Sequence, residues 1–194
     1  MNCIIQGIQC IAPAHLNHLV ALTEASGIEQ SAEHAYRLLN ARPHADIAAF
    51  CYEHQLDYGF VRPDQKLSDF GLVVMDMDST LISIECIDEI ADMFHIKPQV
   101  AAITEAAMRG EIDFCESLRR RVALLAGLEE SALQRVYDER LQLNRGAVTM
   151  LDKLKRNGVK IMLVSGGFVF FTDRLKQRLD LDYARANTLE IVNG

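Results

Sequence analysis

With 194 residues, 49% hydrophobic and 24% charged, the chain is long enough for one large domain or two small ones and can bury a core without covalent staples. A net charge of −7 argues against a nucleic-acid partner, which needs a basic surface; a small anionic substrate needs only a local positive pocket. Five cysteines, an odd number with no Cys-x-x-Cys pair, read as reduced thiols rather than zinc ligands. No basic stretch leads into an apolar run at the N-terminus, and runs such as Leu72–Met75 and Ile161–Val164 are far too short for a bilayer. A cytoplasmic protein with no membrane contact is expected.

In chain order, Cys3–Ile5 reads as a short strand. Leu16, Leu19, Val20 and Thr23 fall at helical spacing, with Gly27 placed to end that helix. A second helical pattern runs from Pro43 through Ile47, Phe50 and Cys51, and Tyr58–Val61 reads as a strand. This is a small N-terminal α/β domain, residues 1–66, without a catalytic constellation: His15, His18, His34, His44 and His54 are scattered. The polar stretch Arg62–Asp69 marks a break, and residues 67–194 follow a different pattern. Phe70–Met75 is a compact apolar run of the kind that suits a buried parallel strand. Val159–Val164 is a second, ending in Ser165-Gly166-Gly167. Between them lie helices. Ile87, Ile90, Ala91 and Phe94 form one stripe; Pro98 sits at a first turn, with Gly110 as a stop. Asp113-x-x-Glu116 resembles a capping box for a helix that Gly127 ends. Two further helices are expected, Ser131 to about Arg140 and Ala147–Arg156. The pattern is a parallel α/β core carrying a helical cap at about 84–144.

Chemistry concentrates in Asp76-Met77-Asp78-Ser79-Thr80, directly after the first strand of that core. Open α/β sheets bind ligands at the carboxyl ends of their strands. Two carboxylates at i and i+2 need a cation or a shared proton, and oxygen-only donors point to a hard ion such as magnesium. A turn or helix N-cap also uses Asp and Ser, but the whole DxDST run behind an apolar strand makes that reading the weaker one. Ser165 and Gly166, at the end of the second strand, offer a hydroxyl and backbone N–H groups suited to phosphate oxygens; a ligand-free glycine turn is the alternative. Glu85, Asp88, Glu89 and Asp92 share a helical face, for which a solvated acidic surface is the default. Phe114, Leu118, Arg121 and Leu125 recur at helical spacing, so Arg121 points along an apolar face and needs an anionic partner, unless it snorkels. Arg119 and Arg120 point elsewhere.

The segment Val73–Leu81 resembles the first motif of the haloacid dehalogenase superfamily of phosphatases. Three further runs, Glu85-Cys86-Ile87-Asp88-Glu89-Ile90-Ala91, Ser117–Val122 and Val164–Phe168, resemble the phosphoserine phosphatases within it. The likeness runs from Leu72 to about Asn187; the N-terminal segment resembles their bacterial accessory domain more weakly. The resemblance implies a doubly wound, HAD-like Rossmannoid parallel sheet and magnesium-dependent hydrolysis of O-phosphoserine. Asp76 would be the nucleophile and Asp78 the proton donor and acceptor. The Asp76 side chain and the Asp78 carbonyl would hold Mg2+. Glu85 would take the substrate ammonium, Arg121 its carboxylate, and Ser165 with Gly166 its phosphate. The pattern departs from the family at its end, because no Gly-Asp-Gly occurs and Lys176 follows Ser165 too closely to be the family's later phosphate lysine. The expectation is therefore an incomplete sheet in a truncated chain, inactive alone, whose unpaired edge invites a homodimer or a swapped assembly. Two rival readings are a phosphatase for another small phosphomonoester and a catalytically incomplete regulatory or binding fragment.

Overall fold

The computed structural model describes the whole chain, Met1–Gly194, which divides into two units, Met1–Asp69 and Phe70–Gly194. In the first, alternation decides what is buried. β1 (Asn2–Gly7) turns Cys3 and Ile5 inward, both fully buried. It pairs antiparallel with β3 (Ala35–Leu39) on one side and β4 (Leu56–Val61) on the other, while β2 (Gly27–Ala32) pairs with β3. The order β2-β3-β1-β4, with α1 (Pro13–Leu22) after β1 and α2 (Ile47–Glu53) after β3, is the ferredoxin-like arrangement of two interleaved βαβ units. Leu16 and Leu19 from α1, and Ile47 and Cys51 from α2, close the core over Cys3, Ile5 and Leu38. Burial pushes the Cys3 thiol up to about 11, so it packs as a small neutral group. Two expectations change here. Gly27 does not end α1, which stops at Leu22, with the Thr23 hydroxyl donating to the Leu19 carbonyl at 2.7 Å. Gly27 instead opens β2, the exposed half of a hairpin that the sequence pattern did not reveal.

The second unit has a parallel sheet, β5 (Leu72–Met75), β6 (Lys160–Phe168) and β7 (Tyr183–Asn187), in the order β5-β6-β7. Between β5 and β6 run α3 (Cys86–Met93), α4 (Lys97–Met108), α5 (Phe114–Ala123), α6 (Ser131–Glu139) and α7 (Ala147–Arg156); α8 (Val169–Leu179) joins β6 to β7. Val73, Met75, Ile161, Leu163 and Ala184 pack with Leu151, Leu154, Phe171 and Leu175 of α7 and α8. The other sheet face is open, exposing Leu72, Val74, Val164 and Tyr183.

The inserted helices follow their sequence signals closely. Ile87, Ile90 and Ala91 are buried. Pro98 lies in the first turn of α4, and Gly110 takes φ 75° behind it. Asp113 caps α5 by accepting from the Glu116 N–H at 2.8 Å. Glu116 does not complete the box; its carboxylate accepts from Arg120 Nε at 2.7 Å. On α3, Glu89 and Asp92 are not simply solvated: Arg140, at the end of α6, donates to both at 2.6 and 2.7 Å, and that bond holds the Asp92 carboxyl below its ordinary value. β6 does not stop at Val164 but stays extended through Ser165-Gly166-Gly167 to Phe168, with a register shift across those residues. The run Leu189–Val192 forms no strand.

Candidate active site

The site begins where β5 ends. Asp76 is extended (φ −76°, ψ 163°), and its Oδ1 accepts from the Met77 N–H at 2.7 Å. The chain then makes one wide turn, closed by the Ile82 N–H donating to the Met77 carbonyl at 3.0 Å and broken inside by Asp78 (ψ 136°) and Ser79 (φ 52°). Met77, Leu81 and Ile82 anchor this turn in the core. Asn144, on the segment returning from α6, donates its side-chain amide to the carbonyls of Thr80 (2.8 Å) and Ile82 (3.2 Å). Buried anchors and satisfied carbonyls fix the turn, leaving the two aspartates at the carboxyl end of the sheet.

Asp78 is held by both oxygens. Oδ1 accepts from the Cys86 N–H, the first of α3, at 2.8 Å; this end of a helix favours negative charge. Oδ2 accepts from Ser165 Oγ at 3.2 Å, and that oxygen accepts in turn from the Gly167 N–H at 2.8 Å. Burial, followed by the neighbouring Asp78 charge, pushes the Cys86 thiol far up, so it stays a neutral thiol and no nucleophile. Gly167 is closely packed: a Cβ there would stand 3.1 Å from Ser165 Oγ and 3.2 Å from Asp78 Oδ2, so both would have to give by a few tenths of an ångström.

A cavity of about 180 Å³ opens at this point, lined by Asp76, Asp78, Glu85, Phe114, Arg121 and Gly166 together with Ile87, Leu118, Gly167 and Phe168. Of the residues singled out from sequence, Ser165 alone is not on its wall; it is buried behind, bonded to Asp78. Phe114 reaches over Gly166, where an added Cβ would meet its ring at 3.3 Å. Glu85 Oε1 accepts from Ser79 Oγ at 2.6 Å, and Arg121 Nε donates weakly to the Ser117 carbonyl at 3.4 Å. Neither Glu85 nor Arg121 joins any of the chain's ion pairs. Arg119 and Arg120 are exposed. Sequence reasoning missed Gly167 and Phe168, for which the second glycine of the pair was the available signal, and Ser79, which had none beyond its place in the DxDST run. A larger, mainly apolar cavity of about 520 Å³ lies between the ends of α5 and α6 and Leu189–Val192, away from these groups.

An aspartate pair at a parallel strand end, a serine-glycine turn on the neighbouring strand and a lid of inserted helices define a class, and the chain belongs to it: residues 70–192 match the haloacid dehalogenase-like hydrolase family. Residues 4–47 match a domain of unknown function, DUF4072. Over 133 residues the chain is 59% identical to the phosphoserine phosphatase of Polaromonas sp., covering 68% of this chain and 56% of that one. Among solved structures, the unliganded probable phosphoserine phosphatase from Vibrio cholerae is 36% identical with a TM-score of 0.78, covering 100% of this chain and 60% of that one. A phosphoserine phosphatase solved as a phospho-aspartyl intermediate analogue is 38% identical with a TM-score of 0.60, covering 64% of this chain and 59% of that one. The chain spans about half the length of the curated relatives it matches. No helix is long and apolar enough to cross a membrane.

Proposed function

We propose that this site hydrolyses O-phosphoserine through an aspartyl-phosphate on Asp76. One observation carries the choice of substrate. A carboxylate, Glu85, and a guanidinium, Arg121, line the same small cavity as Asp76, and neither has an opposite charge of its own. Arg121 is half-buried and needs an anionic partner, while Glu85 is exposed and free to take a cation. A zwitterionic amino acid supplies both, its ammonium to Glu85 and its carboxylate to Arg121. The names of the relatives support the same substrate.

In this reading the free oxygen of Asp76 attacks phosphorus, forming a carboxylate–phosphorus bond as the bond to the serine oxygen breaks. Asp78 delivers a proton to that oxygen, then takes one from the water that releases phosphate from Asp76. The two hydrogen bonds on Asp78 keep its carboxylate facing the reacting atoms. Gly166, on the cavity wall, receives the phosphate oxygens, while Ser165, whose hydroxyl donates to Asp78, would reach them only by giving up that bond. The donors around Asp76 fit a hard cation, since the cavity wall offers carboxylate and carbonyl oxygens but no imidazole. Mg2+ would be held by the Asp76 side chain and the Asp78 main-chain carbonyl, and when bound it supplies charge neutralisation between carboxylate and phosphate.

Residues 1–66 then form an accessory domain and 67–194 the phosphatase core, with 84–144 as its cap. The expected role is the final step of serine synthesis in the cytoplasm, a setting consistent with five unpaired thiols. The exposed residues Leu72, Val74 and Tyr183 at the sheet support pairing with a second copy, which a mass measurement in solution checks.

The deciding experiment is a phosphate-release assay on the full gene product with Mg2+. O-phosphoserine should be preferred over both phosphoethanolamine and 2-phosphoglycolate, each of which lacks one of its charges. Equal rates on all three would overturn the amino-acid reading. No hydrolysis of any would overturn the enzymatic one.

A further inference from the structure

We propose that Ser79 is a positioning residue, one that aims the Glu85 carboxylate at the substrate ammonium; the inference rests on the phosphoserine reading above. Ser79 takes φ 52°, a left-handed conformation that glycine adopts freely and most other residues avoid. The turn imposes it. The Ser79 N–H donates to the Ile84 carbonyl at 3.1 Å, and Asn144 fixes the next carbonyl, that of Thr80, at 2.8 Å. Glycine would sit here without steric cost, so what serine adds is its hydroxyl. That hydroxyl donates to Glu85 Oε1 at 2.6 Å.

Glu85 shows why the bond matters. It occupies the N-cap position of α3, where a short side chain such as Asp, Asn or Ser would fold back onto the N–H groups of its own helix. Glu85 makes no such bond, and the first N–H of α3, that of Cys86, is taken by Asp78. Ser79 draws the carboxylate away from the helix end. One oxygen stays on the hydroxyl, the other has no hydrogen bond of its own, and the residue lines the cavity with Arg121.

The test uses the full gene product and two variants, Ser79→Ala and Ser79→Gly. Both remove the hydroxyl, and glycine tolerates the left-handed backbone, so it decides the matter where alanine misfolds. The readouts are kcat and KM for O-phosphoserine, and the inhibition constant of 2-phosphoglycolate, which keeps phosphate and carboxylate but has no ammonium. The expected result is a KM for O-phosphoserine raised roughly tenfold, the size of one hydrogen bond to a charged group, with kcat and the 2-phosphoglycolate constant little changed. If both constants move together, if kcat alone falls, or if nothing moves, Ser79 does not aim Glu85. Should the unmodified protein fail to hydrolyse O-phosphoserine, the functional reading falls and takes this inference with it. Should it succeed while Ser79→Gly leaves the ratio of the two constants unchanged, only the role of Ser79 is overturned.

Discussion

The two walls of the cavity are held very differently. On the strand-end wall, Asp78, Ser165 and Gly167 are joined in a chain of hydrogen bonds of 2.8 to 3.2 Å, Asp76 is held at 2.7 Å by the Met77 N–H, and buried Met77 and Phe168 lie behind. On the helix wall, Phe114 is 55% exposed and Arg121 makes one long bond, to its own helix. The difference follows from the work proposed for each. A nucleophile and a proton carrier must be placed to within fractions of an ångström, because catalytic rate falls steeply with misplacement. A guanidinium on a long stem finds a carboxylate over a range of positions and needs only to be unpaired beforehand.

The sharpest way to break this comparison is to neutralise the tight wall. In the full gene product, Asp76→Asn should abolish both turnover and the phosphoenzyme; a hydroxylamine-sensitive acyl-phosphate trapped on that variant would remove Asp76 as nucleophile. Asp78→Asn should slow the reaction by roughly 10²–10⁴-fold, the usual size of a proton-transfer contribution. An unchanged rate would leave the two bonds on Asp78 without a catalytic purpose.

On the loose wall the effect should depend on the substrate. Arg121→Ala is expected to cost roughly 2–5 kcal/mol toward O-phosphoserine, as when a buried charge pair loses one partner. The loss should be much smaller for phosphoethanolamine, which has no carboxylate. Equal losses would make Arg121 structural. Arg119→Ala and Arg120→Ala, on the exposed side of α5, are the controls and should do little. A smaller and purely geometric effect is expected from Gly167→Ala. The new methyl would press on Ser165 Oγ and Asp78 Oδ2; a shift of a few tenths of an ångström should lower kcat about tenfold with KM little changed. A drop confined to thermal stability would show that the tight wall tolerates displacement.

How far the sequence disclosed all this also differs between regions. The second unit was legible because its signals are dense and local: an apolar strand ending in DxDST, the apolar stripes on α3 and α5, a capping aspartate, glycines at φ 75° and 86° after α4 and α5. The strand is buried on one face only, since Leu72 and Val74 are exposed. The site residues could be grouped because a parallel sheet brings strand ends together. The hairpin β2–β3 was not legible. Its first strand, Gly-Ile-Glu-Gln-Ser-Ala, is exposed along most of its length and so carries no alternating apolar face to read. The continuation of β6 through two glycines was hidden for another reason: its pairing with Asn187 across a register shift is a property of the neighbouring strand, not of the local run. The bond between Ser79 and Glu85 was equally out of reach, since it depends on a left-handed turn whose carbonyls are held in part by Asn144, sixty-odd residues away.

The smallest expected effect comes from the far end of the same strands and serves as the control for both walls. Asp182 lies just before β7, opposite the site; its Oδ1 accepts from Lys160 Nζ at 2.7 Å and its Oδ2 from the Ile161 N–H at 2.9 Å. The bond to Lys160, then that to Ile161, holds its carboxyl below the ordinary 3.8. A carboxyl whose value is lower folded than unfolded releases its proton more readily in the folded chain, so the unfolded state binds more protons at acid pH. Its stabilisation is present above about 3.8 and is lost as pH falls through the lower folded value. Lys160 is 61% exposed, so water and salt screen the ion pair and the effect is modest. Urea midpoints of the chain and of Asp182→Asn, measured at neutral pH and below pH 3.8, should show a gap that narrows on acidification. Added salt should shrink the neutral-pH gap, and hydrolysis of O-phosphoserine by the full gene product should be unaffected. A gap that stays constant with pH would mean that the bond to Ile161, not the charge, ties the starts of β6 and β7 together.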